Sequence, residues 1–200
     1  TSAPNGDATM EDPNAPASAS SLALCKRGAI SPAENVVFMN MAVDAQHNLF
    51  VPDCINNRVL MYKDPFNPVN DAAADDVWGQ KGSFTTYIPN NGGLSASSLS
   101  ISSITGLDMD YQGNLWVVDS NNNRVLRFPK SAVNGGASGI SKTADFVLGQ
   151  DSFTGNGQGD GVVMNRLWHP NQVKVDRAGN VFGMEQNEPA SGSLSRIIKY

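Results

Sequence analysis

Residues 41–62, MAVDAQHNLFVPDCINNRVLMY, align without a gap on residues 107–128, LDMDYQGNLWVVDSNNNRVLRF, at an offset of 66. Eleven of the 22 aligned positions are identical: Asp44/Asp110, Gln46/Gln112, Asn48/Asn114, Leu49/Leu115, Val51/Val117, Asp53/Asp119, Asn56/Asn122, Asn57/Asn123, Arg58/Arg124, Val59/Val125 and Leu60/Leu126. A third copy begins at the same offset, residues 173–185, VKVDRAGNVFGME, and resumes at residues 196–200, RIIKY, after an insertion around 186–195. A second motif recurs between the copies: DVWGQKGSFT at 76–85 and FVLGQDSFT at 146–154. A long repeat constrains the fold strongly. One unit cannot bury its own apolar face and must stack on its neighbours.

Each unit reads as strands and turns. Residues 41–44 read as a short strand. The Asp-x-x-Gly/His-Asn step then predicts a tight hairpin, with Gly113, Gly179 and His47 at a position of positive φ. Residues 49–51 and 115–118 are β-branched or aromatic, as strands favour. Asn-rich turns follow at 54–57 and 120–123, and residues 58–62 and 124–128 alternate again. The VWGQ and VLGQ segments supply a fourth strand. Helical periodicity is absent. The expectation is an all-β chain of four-stranded antiparallel propeller blades, with repeat cores at 41–88, 107–154 and 173–200.

The extended pattern VDxxGN-L-x-V-x-D-x-x-NNRVL resembles the NHL repeat, and the interleaved VLGQxxFT resembles the long-period bacterial version of that family. The resemblance covers roughly residues 36–200. It implies a propeller, and it leaves activity open, because NHL-like propellers include lyases, hydrolase relatives and binding modules. Two departures stand out. The third copy reads Gly183-Met184-Glu185 where the others have Val-Pro-Asp and Val-Val-Asp, and it carries the insertion. The chain also holds only about two and three-quarter blades. A closed ring of about six such blades would need about 400 residues. The expectation is a partial propeller or fragment, or one whose blades are completed between chains. The first residue, Thr1, fits a processed or truncated chain.

Residues 1–30 form a separate low-complexity segment, expected to be flexible, with an extended arm on a neighbour or a site for O-linked sugar as the alternative. Residues 31–200 hold the blades. The formal net charge is -5, and Lys/Arg clusters are absent, which excludes nucleic acid as a natural partner. No apolar run is long enough for membrane insertion. Charged residues are only 16%, so the surface is polar through Ser, Thr and Asn. That fits a secreted, periplasmic or other extracellular protein. A Cys25–Cys54 disulfide suits that compartment, and two unpaired thiols are the alternative.

Asp53, Asp119 and Glu185 recur at the end of the second strand, and Arg58, Arg124 and Arg196 open the third. The family resemblance implies a structural turn pair in each blade, Asp53 with Arg58, Asp119 with Arg124 and Glu185 with Arg196. The three carboxylates also admit Ca²⁺ on one face. No cofactor, metal ligand or catalytic residue is predicted. His47 and His169 occupy different blade positions and do not make a ligand set. Residues 155–161, GNGQGDG, read as a flexible loop whose counterpart is 90–98. Trp78 and Trp116 read as core. Strands alternate in direction, so the long loops and the Asn-rich turns share one face. Trp168, Gln186, Asn187 and Glu188 there are the candidate contacts.

The leading functional expectation is a non-catalytic module that binds a protein, a glycan or copies of itself. A metal-dependent hydrolase or lyase with a partial active site is the first alternative. An assembly subunit that completes blades between chains is the second.

Overall fold

The computed structural model describes residues 18, 20, 40–65, 73–101, 105–131, 139–159, 165–185 and 196–200. Eleven strands lie among them: β1 Ala42–Val43, β2 Leu49–Asp53, β3 Arg58–Tyr62, β4 Asp76–Trp78, β5 Leu107–Met109, β6 Leu115–Asp119, β7 Arg124–Phe128, β8 Phe146–Leu148, β9 Pro170–Val175, β10 Val181–Glu185 and β11 Arg196–Lys199. They form three antiparallel sheets in chain order, β1-β2-β3-β4, β5-β6-β7-β8 and β9-β10-β11. These are propeller blades. The first and second are complete four-stranded units, and the third has three strands among the described residues.

The register explains why the repeat recurs so strictly. Asp53 faces Arg58, Asp119 faces Arg124 and Glu185 faces Arg196, each pair closing the turn between its blade's second and third strands. The first hairpin of each blade turns through a left-handed residue: His47 (φ 65°), Gly113 (φ 88°) and Gly179 (φ 86°). Glycine adopts that conformation without a Cβ clash, and His47 shows that a side chain is tolerated at the same site. The inner strand of the third blade starts at Pro170, three residues before the sequence repeat, with a register shift between Met184 and Glu185.

Each strand sends alternate residues to its two neighbouring blades. Phe50, Val59, Met61 and Trp78 of the first blade pack against Leu107, Leu115, Val117, Leu126 and Phe128 of the second, with Leu99 from the loop between them. The Phe50 and Trp78 rings meet at 5.6 Å with a 60° tilt. Trp116, Val118, Val125 and Leu148 then pack against Leu167, Val173, Val181 and Ile198 of the third blade. Trp78 and Trp116 are thus core residues. Each such large apolar side chain contributes about 1.5–3 kcal/mol by leaving water. The inner strands β1, β5 and β9 lie side by side. Among the described residues no helix is long and apolar enough to cross a membrane.

Candidate functional site

Strand alternation gives the stacked blades two ends. One carries the turns after the second strands and the loops that lead to the next blade. The other carries the first hairpins.

At the loop end the repeated polar residues form a buried network. Arg58 Nε donates to Asp53 Oδ2 at 2.6 Å, and Arg124 Nε donates to Asp119 Oδ2 at 2.6 Å, with all four side chains fully buried. The guanidinium forks reach further. Arg58 donates to the carbonyls of Phe84 and Ser18, and Arg124 to those of Phe153, Ser95 and Ser98. The Asn56 amide donates to Asp53, and the Asn122 amide to Asp119. Ser100 N–H donates to Asp119 Oδ1 at 2.7 Å. Burial pushes the Asp119 carboxyl above its ordinary value, against the pull of Arg124, Asn122 and Ser100 toward the charged form. In the third blade Trp168 N–H donates to Glu185 Oε2 at 2.8 Å.

Two further residues stitch one blade to the next. Asn57 donates to the Tyr87 carbonyl and accepts from Ile101 N–H. Asn123 donates to the Asn156 carbonyl and accepts from His169 N–H. Their own carbonyls accept from Gln80 and Gln150, the Gln of each WGQ or LGQ motif. Those amides also bind Ile88 O and Gly157 O. Residue 157 therefore matches residue 88, not a position within 90–98 as the sequence alignment has it. The described part of the 155–161 loop is tied down at Asn156, Gly157 and Gly159 rather than free. The role of Gln80 and Gln150 escapes a strand-by-strand reading, although their recurrence in the GQ pair is the signal. A second missed signal is SASSL at 18–22 and 95–99. Ser18 O receives Arg58 as Ser95 O receives Arg124, and Ser20 N–H binds Ser18 Oγ as Ser97 N–H binds Ser95 Oγ.

Trp168 is half-buried at this end, while Gln186, Asn187 and Glu188 lie outside the described residues. The backbone of Arg196 pairs with Glu185, and its side chain also lies outside them. Cys54 is disulfide-bonded; Cys25, the other cysteine, is outside the described residues. His47 and His169 sit at opposite ends of the blades, so the fold does not bring them together. Tyr87 and Ile88 are exposed on the loop end.

At the hairpin end, Asp44 accepts from the N–H groups of Gln46 and Asn48 and from the Asn48 amide. Asp110 does the same for Gln112 and Asn114, and also accepts from Trp116 Nε1 at 3.0 Å. Asp176 repeats the pattern with Ala178 and Asn180. Between the first two hairpins lies a cavity of about 290 Å³, lined by Val43, Met109 and Ile140, by the polar Gln46, Tyr111 and Lys130, and by Asp44 and Asp110, whose carboxylates are bonded within their own hairpins. Among the described residues the Lys130 ammonium forms no ion pair. Among them also, no three His, Cys, Asp or Glu side chains gather to hold a metal ion. The cavity combines apolar contact with the Gln46 amide and the Lys130 ammonium, which show no side-chain partner among the described residues. It lies at the end opposite Trp168.

No protein-family model matches the chain, and no curated protein matches it. Among solved structures it is similar to a gluconolactonase from Xanthomonas campestris at 19% identity, over 76% of this chain and 37% of that one, with a TM-score of 0.41. A streptogramin B lyase matches at 10% identity, over 80% of this chain and 53% of that one, with a TM-score of 0.29. The chain thus spans 37% and 53% of the lengths of these proteins. At these TM-scores neither superposition fixes a blade count or a function.

Proposed function

We propose that this chain belongs to an exported NHL-type propeller that binds or scaffolds a partner, whether a protein, a glycan or copies of itself, without catalysis. One observation carries the reading. The charged side chains repeated in the first two blades, Asp44, Asp53, Arg58, Asp110, Asp119 and Arg124, are taken up by bonds that close turns and join blades. A general acid or base needs a proton it can exchange with substrate; the buried Asp53–Arg58 and Asp119–Arg124 pairs offer none, and the Asp44 and Asp110 carboxylates beside the hairpin cavity are held by N–H groups of their own hairpins. The groups left for a ligand suit adhesion: Tyr87, Ile88 and Tyr111 are exposed, and Gln46 and Lys130 line the hairpin cavity. Trp168 with Gln186, Asn187 and Glu188 remains the proposed contact set of the loop end.

The test pairs two measurements on the purified protein. Glycan-array binding and sedimentation should reveal carbohydrate capture or self-association, and Tyr111→Ala or Tyr87→Ala should weaken it. Elemental analysis with a panel of lactone and ester substrates should show no turnover. A stoichiometric, tightly held metal with metal-dependent hydrolysis or elimination would replace this reading with the hydrolase or lyase one.

A further inference from the structure

The gap between the first and second hairpins differs from the gap between the second and third. At the second gap Asp108 reaches across to the third blade, accepting from Lys174 Nζ at 2.9 Å and from Val175 N–H at 2.7 Å. One repeat earlier the residue in the place of Asp108 is Ala42, whose methyl group can make neither bond. The first gap lacks this clip, and it is there that the cavity opens.

The polar lining of the cavity also departs from the repeat. The Asp110 carboxylate accepts from the N–H groups of Gln112 and Asn114, from the Asn114 amide and from Trp116 Nε1. The Asp44 carboxylate accepts from the equivalent Gln46 and Asn48 groups, but Phe50 stands in the place of Trp116 and has no N–H to give. A carboxylate has about four acceptor positions, so among the described residues Asp44 keeps one at Oδ2. Lys130 is fixed from its backbone, with its N–H on Asn114 Oδ1 at 2.9 Å and a bridge to Ile140. Its stem crosses Gly113, where a Cβ would sit 2.7 Å from Lys130 Cδ. The bare glycine thus seats the stem and sets the ammonium beside the cavity. Tyr111 is 68% exposed, and its hydroxyl receives Gln112 Nε2 while keeping its own proton to donate.

This mix selects a class of ligand. An anion would meet the Asp44 and Asp110 carboxylates, and a cation would meet Lys130. A hydroxyl both donates and accepts, so it can give its proton to Asp44 and receive one from Gln46 or Lys130. A pyranose ring carries several hydroxyls beside an apolar C–H face, which matches Val43, Met109 and Ile140. The volume, about 290 Å³, lies at the small end of ligand pockets, about 300–1,000 Å³, and takes one ring.

We propose, resting on the non-catalytic binding reading, that the cavity between the first two hairpins is a binding site for one neutral hexopyranose ring, held by Asp44, Gln46, Tyr111 and Lys130. The ring is either a free hexose or the end residue of a glycan.

The test uses the 200-residue protein labelled with ¹⁵N and the methyl glycosides of glucose, galactose, mannose and N-acetylglucosamine, with methyl glucuronide as the charged comparison. At least one neutral glycoside should shift the backbone amide signals of Gln46, Tyr111 and Lys130 saturably, with a Kd on the order of 1 mM for so small a ligand. Methyl glucuronide should bind more weakly. Tyr111→Ala, Gln46→Ala and Lys130→Met change exposed positions and should each raise the Kd by about fivefold or more. Ile55→Ala, on an exposed turn at the other end, should leave it unchanged. The disaccharide ending in the bound hexose separates the two sources. An equal Kd supports a glycan end, and loss of binding supports a free sugar. The proposal is overturned if no neutral glycoside shifts the hairpin signals. Tighter binding of methyl glucuronide, lost in Lys130→Met, also overturns it by making the cavity an anion site. Binding that survives the three hairpin variants and is lost in Trp168→Ala overturns it in favour of the loop end. In each of these cases the binding reading stands, since it falls only with metal-dependent turnover, which the lactone and ester panel reads separately.

Discussion

Asn123 offers the sharpest quantitative test of the blade-to-blade stitching. Its backbone is left-handed at φ 53°, its amide donates to Asn156 O at 3.0 Å, and its Oδ1 accepts from His169 N–H at 2.9 Å. Replacement by glycine keeps the backbone conformation and removes only the side chain. Each lost bond is worth about 1 kcal/mol net, and a buried group left without a partner costs about 1–3 kcal/mol. Both bonds are partly buried, so water can relieve some of that cost. The expected loss for Asn123→Gly is therefore about 2–3 kcal/mol. Alanine removes the same two bonds and must also hold a Cβ in the left-handed region, which adds about 1 kcal/mol.

Urea unfolding measures both changes. With a slope of about 2–3 kcal/mol/M, Asn123→Gly should lower the midpoint by about 1 M, and Asn123→Ala by more. Asn57→Gly should match Asn123→Gly, because Asn57 makes the equivalent bonds to Tyr87 and Ile101. A glycine variant within about 0.5 kcal/mol of the parent would refute the claim that these amides hold the blades together. Equal losses for glycine and alanine would refute the backbone part.

Three other outcomes are expected. A Cβ at Gly149 would sit 2.6 Å from Leu167 Cγ at φ +84°, so Gly149→Ala should lower the melting temperature by roughly 5–10 °C, while Gly93→Ala, with nothing within 4 Å, should lower it less. The Asn180 amide and neighbouring N–H groups hold the Asp176 carboxyl below its ordinary 3.8; folding thus releases protons, and this hairpin's contribution is full above that value and lost as pH falls through the lowered one. An NMR titration that finds Asp176 at or above 3.8 would contradict this. Alkylation of the unfolded protein should add no mass before reduction and two alkyl groups after it, with reduction costing about 2–4 kcal/mol of stability; a free thiol before reduction would exclude the Cys25–Cys54 bond.

Much of the fold is legible along the chain because a blade is a local object. Its hairpins join residues close in sequence, and the apolar runs at 49–51 and 115–118 mark strands that prove buried on both faces. Asp44, Asp110 and Asp176 are legible as hairpin residues for the same reason, since their partners lie two and four positions away. The polar network is legible only in part. Asp53 and Asp119 bond with arginines five residues on, but those arginines also reach Phe84 and Phe153, which lie 26 and 29 residues away. Gln80 and Gln150 bond backward to Asn57 and Asn123 across 23 and 27 residues. Nothing in strand periodicity records a side chain that caps a distant carbonyl.

The sequence by itself determined the strand order, the turn positions and the burial of Trp78 and Trp116, because these depend on the in-register repeat of apolar strand residues and on residues that tolerate positive φ. Only the tertiary structure decided what the repeated polar residues bond to, which hairpins enclose a cavity, and which blade face is left exposed. Those properties depend on distances between blades. The same apolar pattern at 59, 125 and 197 reads alike in sequence, whether or not another sheet covers it.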